Sequence, residues 1–336
     1  MTKPAFPHPL LVADVGGTNA RFALVREPHD PPVPLLGVKT GGCPSAAEAV
    51  AQGIAAAGSE RPASLILCAA GPVIGRTATL TNAPWTFDGE DLAARFGLAQ
   101  GLLLNDFEAA ALSLAVIEPS DVEPIGPNPP PGHGPRVILG PGTGLGVAAL
   151  VRIGGLAMAL PGEAGHVAFG PADAEDERFW PRVERVCGRV TPEALLSGPG
   201  LARLHRALAP DFEAIAAPLD PPTIAERARS GSCPHCVATV AIFLKLLARF
   251  SGDMGLVYGA TGGVYLRGGV MSSLAPALDQ ARFHAAFADK APVEVLARAL
   301  PIHRIVDDSI ALRGMAAIGA EPSRFVLDYP DRLWCR

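Results

Sequence analysis

Lysine is nearly missing from this sequence: Lys3, Lys39, Lys245 and Lys290 are the four among 336 residues. None follows a glycine, so the phosphate-binding loop GxxxxGK[ST] is excluded. Charged residues are sparse as well, at 18%, and the net charge of −5 leaves no electrostatic footprint for nucleic acid or anionic lipid. With 49% hydrophobic residues, the chain has the reverse of a disordered composition. Long apolar runs are lacking too. The charge-free stretch 137–151 is too short to span a bilayer and is broken by Gly140, Pro141, Gly142, Gly144 and Gly146. Pro4, Pro7, Pro9 and Asp14 interrupt any signal-peptide core, so a cytoplasmic location is expected. The six cysteines are too few for a disulfide framework in a chain of this length. Their one close pair, Cys233 and Cys236, has only His235 nearby as a further metal ligand and is expected to be reduced and structural.

What is plentiful is glycine, with 37 residues, and proline, with 34. No Gly-X-Y period runs through them, which excludes collagen. At roughly 100–200 residues per domain the length suggests two domains. Two segments share one plan. Residues 10–25 read as a strand, a Gly-Gly-Thr turn and a second strand, and residues 137–151 repeat this about 126 positions later. Such a repeat implies a duplicated α/β domain. Strands over 65–70 and 102–104 alternate with helices capped by Ser45 and Asp88 and a helix over 105–116. Residues 118–136 carry seven prolines and read as a connection. Further on, Thr223 and Glu226 fit a capping box, 236–250 a helix, 262–270 a strand between glycine pairs, and 309–319 a last apolar helix.

The chemistry concentrates at three places. The glycine turns suit phosphate binding, because backbone N–H groups can converge on an anion where no Cβ intervenes. Gly144-x-Gly146-x-x-Ala149 loosely fits a dinucleotide fingerprint, but strand-like residues follow where a helix is required. A pair of hairpin turns gripping a nucleoside triphosphate fits better, with Asp14 placed to hold Mg²⁺ directly or through water and Thr18 placed at phosphate oxygens. Asn105-Asp106 follows a strand directly, the usual position of ligands in an α/β sheet. Asp106 could therefore accept the proton of an attacking hydroxyl, and capping of the next helix is a compatible role. Glu163 and His166 lie three apart in a glycine-rich loop, which suits the hydroxyls of a polyol better than a zinc-protease helix.

The chain carries Asp-Val-Gly-Gly-Thr-Asn-Ala-Arg at 14–21, Thr-Asn-x-x-Trp at 81–85, Asn-Asp-Phe at 105–107 and Gly-x-Gly-Thr-Gly-Leu-Gly at 140–146. Leu-Pro-Gly-Glu-x-Gly-His-Val at 160–167, Leu-Ser-Gly-Pro-Gly-Leu at 196–201, Gly-Gly-Val-x-x-x-Gly-Gly at 262–269 and the cysteine pair complete the set. Together these motifs resemble the bacterial glucokinase family. The resemblance implies an actin/hexokinase-like (ribonuclease H-like) ATPase fold, with a small domain over 1–116 plus 307–336 and a large one over 117–306 closing on a cleft. It implies phosphorylation of D-glucose at its 6-hydroxyl by ATP with Mg²⁺, in a cytoplasmic homodimer. Carried over position by position, Asp106 is the general base, and Asn105, Glu163, His166 and Glu193 bind sugar hydroxyls, with Asn82 in a matching motif. Ala13, Asp14, Val15, Gly16, Gly17 and Thr18 form the first phosphate loop and Gly142, Thr143 and Gly144 the second, while Gly268 and Gly269 lie near the adenosine. Ala13 and Ala164 stand where relatives often have glycine.

Three rivals belong beside this reading. A kinase for mannose, fructose or glucosamine would share its chemistry. A sugar-responsive repressor would carry a DNA-binding helical domain, for which an expected first phosphate loop at residue 14 leaves no room. A chaperone-like ATPase would lack the Glu163, His166 and Glu193 set.

Overall fold

A computed structural model describes residues 5–127, 129–212, 218–327 and 331–335. The chain forms two compact units, one of Met1–Glu118, Leu150–Leu160 and Asp307–Arg336, the other of Pro119–Ala149 and Pro161–Val306. The first unit opens with β1 (Leu10–Val15), β2 (Asn19–Val25), β3 (Val33–Lys39) and α1 (Ala46–Ala56). It continues through β4 (Ser64–Ala69), the short β5 (Val73–Ile74), β6 (Thr77–Thr79) and β7 (Thr86–Asp88), α2 (Gly89–Phe96), β8 (Gln100–Asn105) and α3 (Asp106–Ser113). Every residue of β1 except Asp14 is fully buried, as are all six of β4, because helices and loops cover both faces of the parallel strands.

The second unit begins with β9 (Val122–Pro124), β10 (Arg136–Pro141), β11 (Leu145–Ile153) and β12 (Leu156–Gly162), the last two strands running across the unit boundary. Helices α4 (Ala174–Phe179), α5 (Pro192–Leu195), α6 (Gly198–Leu208), α7 (Pro221–Arg229) and α8 (Pro234–Val257) follow. Strand β13 (Gly263–Leu266), helices α9 (Gly269–Leu274), α10 (Gln280–Ala288) and α11 (Glu294–Arg298), and β14 (Ile302–Ile305) complete it. Within it the fully buried Asp176 of α4 receives Arg249 and Lys245 from α8, Lys245 lying 3.0 Å away. Lys245 also reaches Asp173 at 2.6 Å, and Lys290 pairs with Asp253 at 3.1 Å.

Two late elements, α12 (Ile310–Ala320) and β15 (Leu333–Cys335), belong to the first unit. Helix α12 packs on α3 and β1, with Gly314 against Ser113 and Gly319 against Leu10. Strand β15 adds to β8 and lays the Trp334 indole on Gly101, where a Cβ would come within 2.0 Å of the ring.

The duplication expected from the two hairpins is visible in the sheets. Their strand orders are β3-β2-β1-β4-β8-β15 and β12-β11-β10-β13-β14-β9. Each has three consecutive strands side by side, two further strands parallel to the innermost, and an antiparallel edge strand.

Local departures have local causes. The proline-rich 118–136 is not purely a connection: β9 forms within it and pairs with β14, at a sheet edge where Pro124 leaves no ladder bond unmade. Asn128 of that segment lies outside the described residues. Thr223 does not cap its helix. Asp220 does, accepting the Thr223 N–H at 2.8 Å, because Pro221 and Pro222 suit the first turn and draw the start of the helix forward. Helix α8 outruns the expected 236–250 at both ends, starting at Pro234 beneath the Cys233 cap. Ser45 accepts the Glu48 N–H at 3.2 Å, and Asp88 caps α2, as read from the sequence.

Candidate active site

In the first unit, the carboxyl ends of the parallel strands β1, β4 and β8 are level, Val15 pairing with Ala69 and Ala69 with Asn105. Two candidate segments leave from that edge, one after β1 and one after β8. The Gly16–Thr18 turn is closed by the Gly16 N–H on the Asn19 carbonyl at 2.9 Å and pinned by Thr40, whose N–H donates to the Thr18 carbonyl at 2.9 Å. Asn82 lies over this turn: a Cβ at Gly17 would sit 3.2 Å from the Asn82 Cβ. Ala13 and Val15 are fully buried within β1 and can offer only backbone, whereas Asp14 is half-buried and accepts the Cys68 S–H at 3.4 Å. Among the described residues no group of three or more His, Cys, Asp or Glu side chains could hold a metal. A single carboxylate beside a glycine turn fits Mg²⁺, which keeps waters and is held largely by substrate oxygens.

Asn105 and Asp106 divide the work at the end of β8. The cap of α3 is Asn105, whose Oδ1 accepts the N–H groups of Phe107 at 2.9 Å and Glu108 at 3.3 Å. Its Nδ2 donates to the Gly71 carbonyl at 3.0 Å, leaving the second amide hydrogen for a ligand. Asp106, the first residue of α3, is half-buried and relieved of capping duty. Glu108 closes a reciprocal capping box on the Asn105 N–H at 2.8 Å and is itself held by Arg332, 3.0 Å from both carboxylate oxygens. The Asn105-x-x-Glu108 spacing was the signal that could have revealed Glu108. Arg332, 224 residues away from its carboxylate, left none.

In the second unit, both glycine loops leave the carboxyl ends of the parallel strands β10 and β13. Gly142 donates its N–H to the Gly144 carbonyl at 2.8 Å and accepts the Gly198 N–H at 2.8 Å. Gly268 has φ of 106° and lies so close to the Pro141 carbonyl that a Cβ would reach it at 2.7 Å, so only glycine serves there.

His166 stands between two carboxylates, with Nε2 3.6 Å from Glu163 and Nδ1 4.0 Å from Glu193. These separations leave room for hydroxyl groups to bridge the imidazole and carboxylate atoms. Glu163 is 88% exposed, whereas Glu193 is only 33% exposed and built in. Thr191 caps the turn that carries it, and its Oε2 accepts the Leu145 N–H at 2.9 Å, directly beside Gly144. His166, Glu193 and Thr143 line a cavity of about 280 Å³ together with Arg189 and Arg203, which the sequence reading did not single out.

The glucokinase family profile matches residues 11–322. The glucokinase of Rhizobium meliloti (strain 1021) is 41% identical over 334 residues, covering 99% of this chain and 98% of the relative. The chain belongs to the glucokinase family. A crystal structure of a glucokinase from an Antarctic psychrotroph superposes with a TM-score of 0.81 at 29% identity, covering 94% of this chain and 98% of that one. The fold is shared more widely. A ROK family glucokinase from Streptomyces griseus, solved with glucose and AMPPNP, matches with a TM-score of 0.63 at 20% identity over 92% of this chain and 98% of its own. The architecture of this glucokinase-family chain is thus actin/hexokinase-like. Among its described residues no single helix is long and apolar enough to cross a membrane.

Proposed function

We propose that this chain is a glucokinase, transferring the γ-phosphoryl group of ATP to the 6-hydroxyl of D-glucose to give glucose 6-phosphate and ADP. One observation carries the reading: about 40% identity to curated glucokinases along essentially the whole chain. The candidate groups suit the reaction. Phosphoryl transfer needs in-line positioning and neutralised charge more than covalent chemistry. Asp106 takes the proton from the 6-hydroxyl as its oxygen bonds to the γ-phosphorus and the bond to the ADP oxygen breaks. Asn105 keeps one amide hydrogen for a neighbouring hydroxyl. Glu163, His166 and Glu193 supply acceptors and an imidazole for the other sugar hydroxyls.

The glycine loops Gly16–Thr18 and Gly142–Gly144 present backbone to phosphate, with Asn82 against the first and Gly268-Gly269 at the nucleoside end. Asp14 would hold Mg²⁺ directly or through water, and the ion would supply charge neutralisation for the transferred phosphoryl group. A cytoplasmic homodimer belongs to the same proposal. The test is a coupled assay for glucose 6-phosphate with ATP and Mg²⁺ against a panel of hexoses. Glucose is expected to give the highest kcat/KM. No ATP-dependent product with any hexose, or a clear preference for mannose, fructose or glucosamine, would overturn the assignment.

A further inference from the structure

The cysteine pair at the start of α8 has no part in the sugar or phosphate chemistry, yet it is built for reactivity. Cys233 is the N-cap, with its sulfur 3.4 Å from the Cys236 N–H, and Cys236 is in the first turn above it. Cys233 is partly exposed, between the exposed residues Ser232 and Pro234, while Cys236 is fully buried. Below Cys236 lies His205 of α6, its Nε2 3.8 Å from the buried sulfur. His205 stacks on His235 at 3.7 Å between ring centroids, and Phe212 covers His235 at 4.7 Å. All six cysteines are free thiols.

We propose that Cys233 and Cys236 form a thiol–disulfide exchange site that reacts with low-molecular-weight disulfides. The exposed cap sulfur is the attacking group and the buried sulfur the resolving one. In the first step the Cys233 thiol releases its proton to water and its sulfur bonds to one sulfur of the small disulfide, expelling the other as a thiolate that takes a proton back from water. In the second the Cys236 sulfur bonds to that of Cys233, and a second small thiolate leaves, taking up the proton that the Cys236 thiol gives up. Two protein thiols are oxidised by two electrons, and one small disulfide is reduced to two thiols.

Acidities run in the required directions. Burial opposes the Cys233 thiolate, but the N–H groups of Cys236 and His235, the Cys236 thiol and the Arg227 charge outweigh it and bring the group below the ordinary thiol range. Burial, and then the neighbouring Cys233, push Cys236 up to about 12, as suits a sulfur that reacts only second. Burial, with the positive neighbours His235, Arg206 and Arg227, holds His205 at about 4, so it stays neutral at pH 7 beside the buried Cys236 thiol.

The test uses the full-length reduced protein, incubated with oxidised and reduced glutathione in graded ratios, quenched by alkylation and mapped by peptide mass. The expected product is a Cys233–Cys236 disulfide, seen as the loss of two hydrogens from that peptide and reversed by dithiothreitol. Before oxidation, Cys233 should alkylate on the order of tenfold faster than Cys236. Cys236→Ser is expected to stop the reaction at a stable glutathione adduct on Cys233. Cys233→Ser, whose hydroxyl can still cap the helix, should abolish both products while far-ultraviolet circular dichroism stays unchanged. Adducts confined to the exposed Cys187 and Cys335 would overturn the proposal. So would one tightly bound zinc per chain that is lost in Cys233→Ser.

Discussion

At Asp106 a side chain half out of solvent begins a helix whose cap is supplied by its neighbour. Asp106→Asn keeps the shape of the turn and removes the proposed proton acceptor. Turnover is expected to fall about a thousandfold or more with glucose still bound. Initial rates alongside calorimetric glucose binding check this, and near-normal kcat would remove Asp106 from its role. Gly144 is a different kind of residue, chosen for the space it does not fill. A Cβ there would meet the Glu193 Oε2 at 2.5 Å, so Gly144→Ala must push the carboxylate away and break its bond to the Leu145 N–H. The expected outcome is a KM for glucose raised about tenfold with a stability loss of about 1–3 kcal/mol. Steady-state kinetics with thermal melts would separate the two effects.

Elements show how distant chain is recruited to hold the proposed reacting group. Strand β15 pairs with β8 and so brings Arg332 to Glu108, the buried partner in the capping box of α3. Arg332 also donates to the Val73 carbonyl at 2.8 Å, tying three segments to the Asn105–Asp106 turn. Glu108→Gln keeps an acceptor for the Asn105 N–H but loses the ion pair. It is expected to lower kcat about tenfold while KM for ATP changes less than about twofold, consistent with the loss of a charge-assisted bond. Arg332→Met leaves a buried carboxylate uncompensated and should cost about 3–5 kcal/mol, with Arg332→Lys recovering part of both losses. A melt for each variant, with kinetics taken well below its midpoint, would show whether positioning and stability change together.

Across the molecule, buried histidines make stability respond to acid. His205, His235, His284 and His303 are all held below their ordinary value, each mainly by burial. His205 lies at about 4 against an ordinary 6.5. Between those two values the unfolded chain takes up a proton that the folded chain refuses, so stability must fall as pH drops through this window. His205 alone is worth about 3 kcal/mol across it. Denaturant midpoints measured from pH 7 to pH 4 should decline, and His205→Gln should flatten the decline.

Much of this molecule can be read from local sequence. Both hairpins, the strands before Asn105 and Gly268, and the caps at Ser45 and Asp88 rest on signals confined to a few neighbouring residues. What escaped depends on residues far apart. Strand β9 exists only because β14 offers it an edge, and α8 reaches its length through the packing of its outer turns. In the site, the Glu163-to-His166 spacing was legible. The clasp of Glu193 on Leu145 and the reach of Arg332 to Glu108 are tertiary facts without a local signal.

The scarcity of lysine decides how this protein can be tethered. Of the three described lysines, Lys245 is enclosed by Asp173, Glu175 and Asp176, and Lys290 is nearly buried beside Asp253. Lys39 alone among them is exposed, and it adjoins Thr40, whose N–H pins the Gly16–Thr18 turn. Among the described residues, amine-reactive supports and dyes would therefore concentrate on Lys39, next to the proposed phosphate loop. Attachment through an introduced group on the exposed, non-catalytic Val295 would leave that loop untouched.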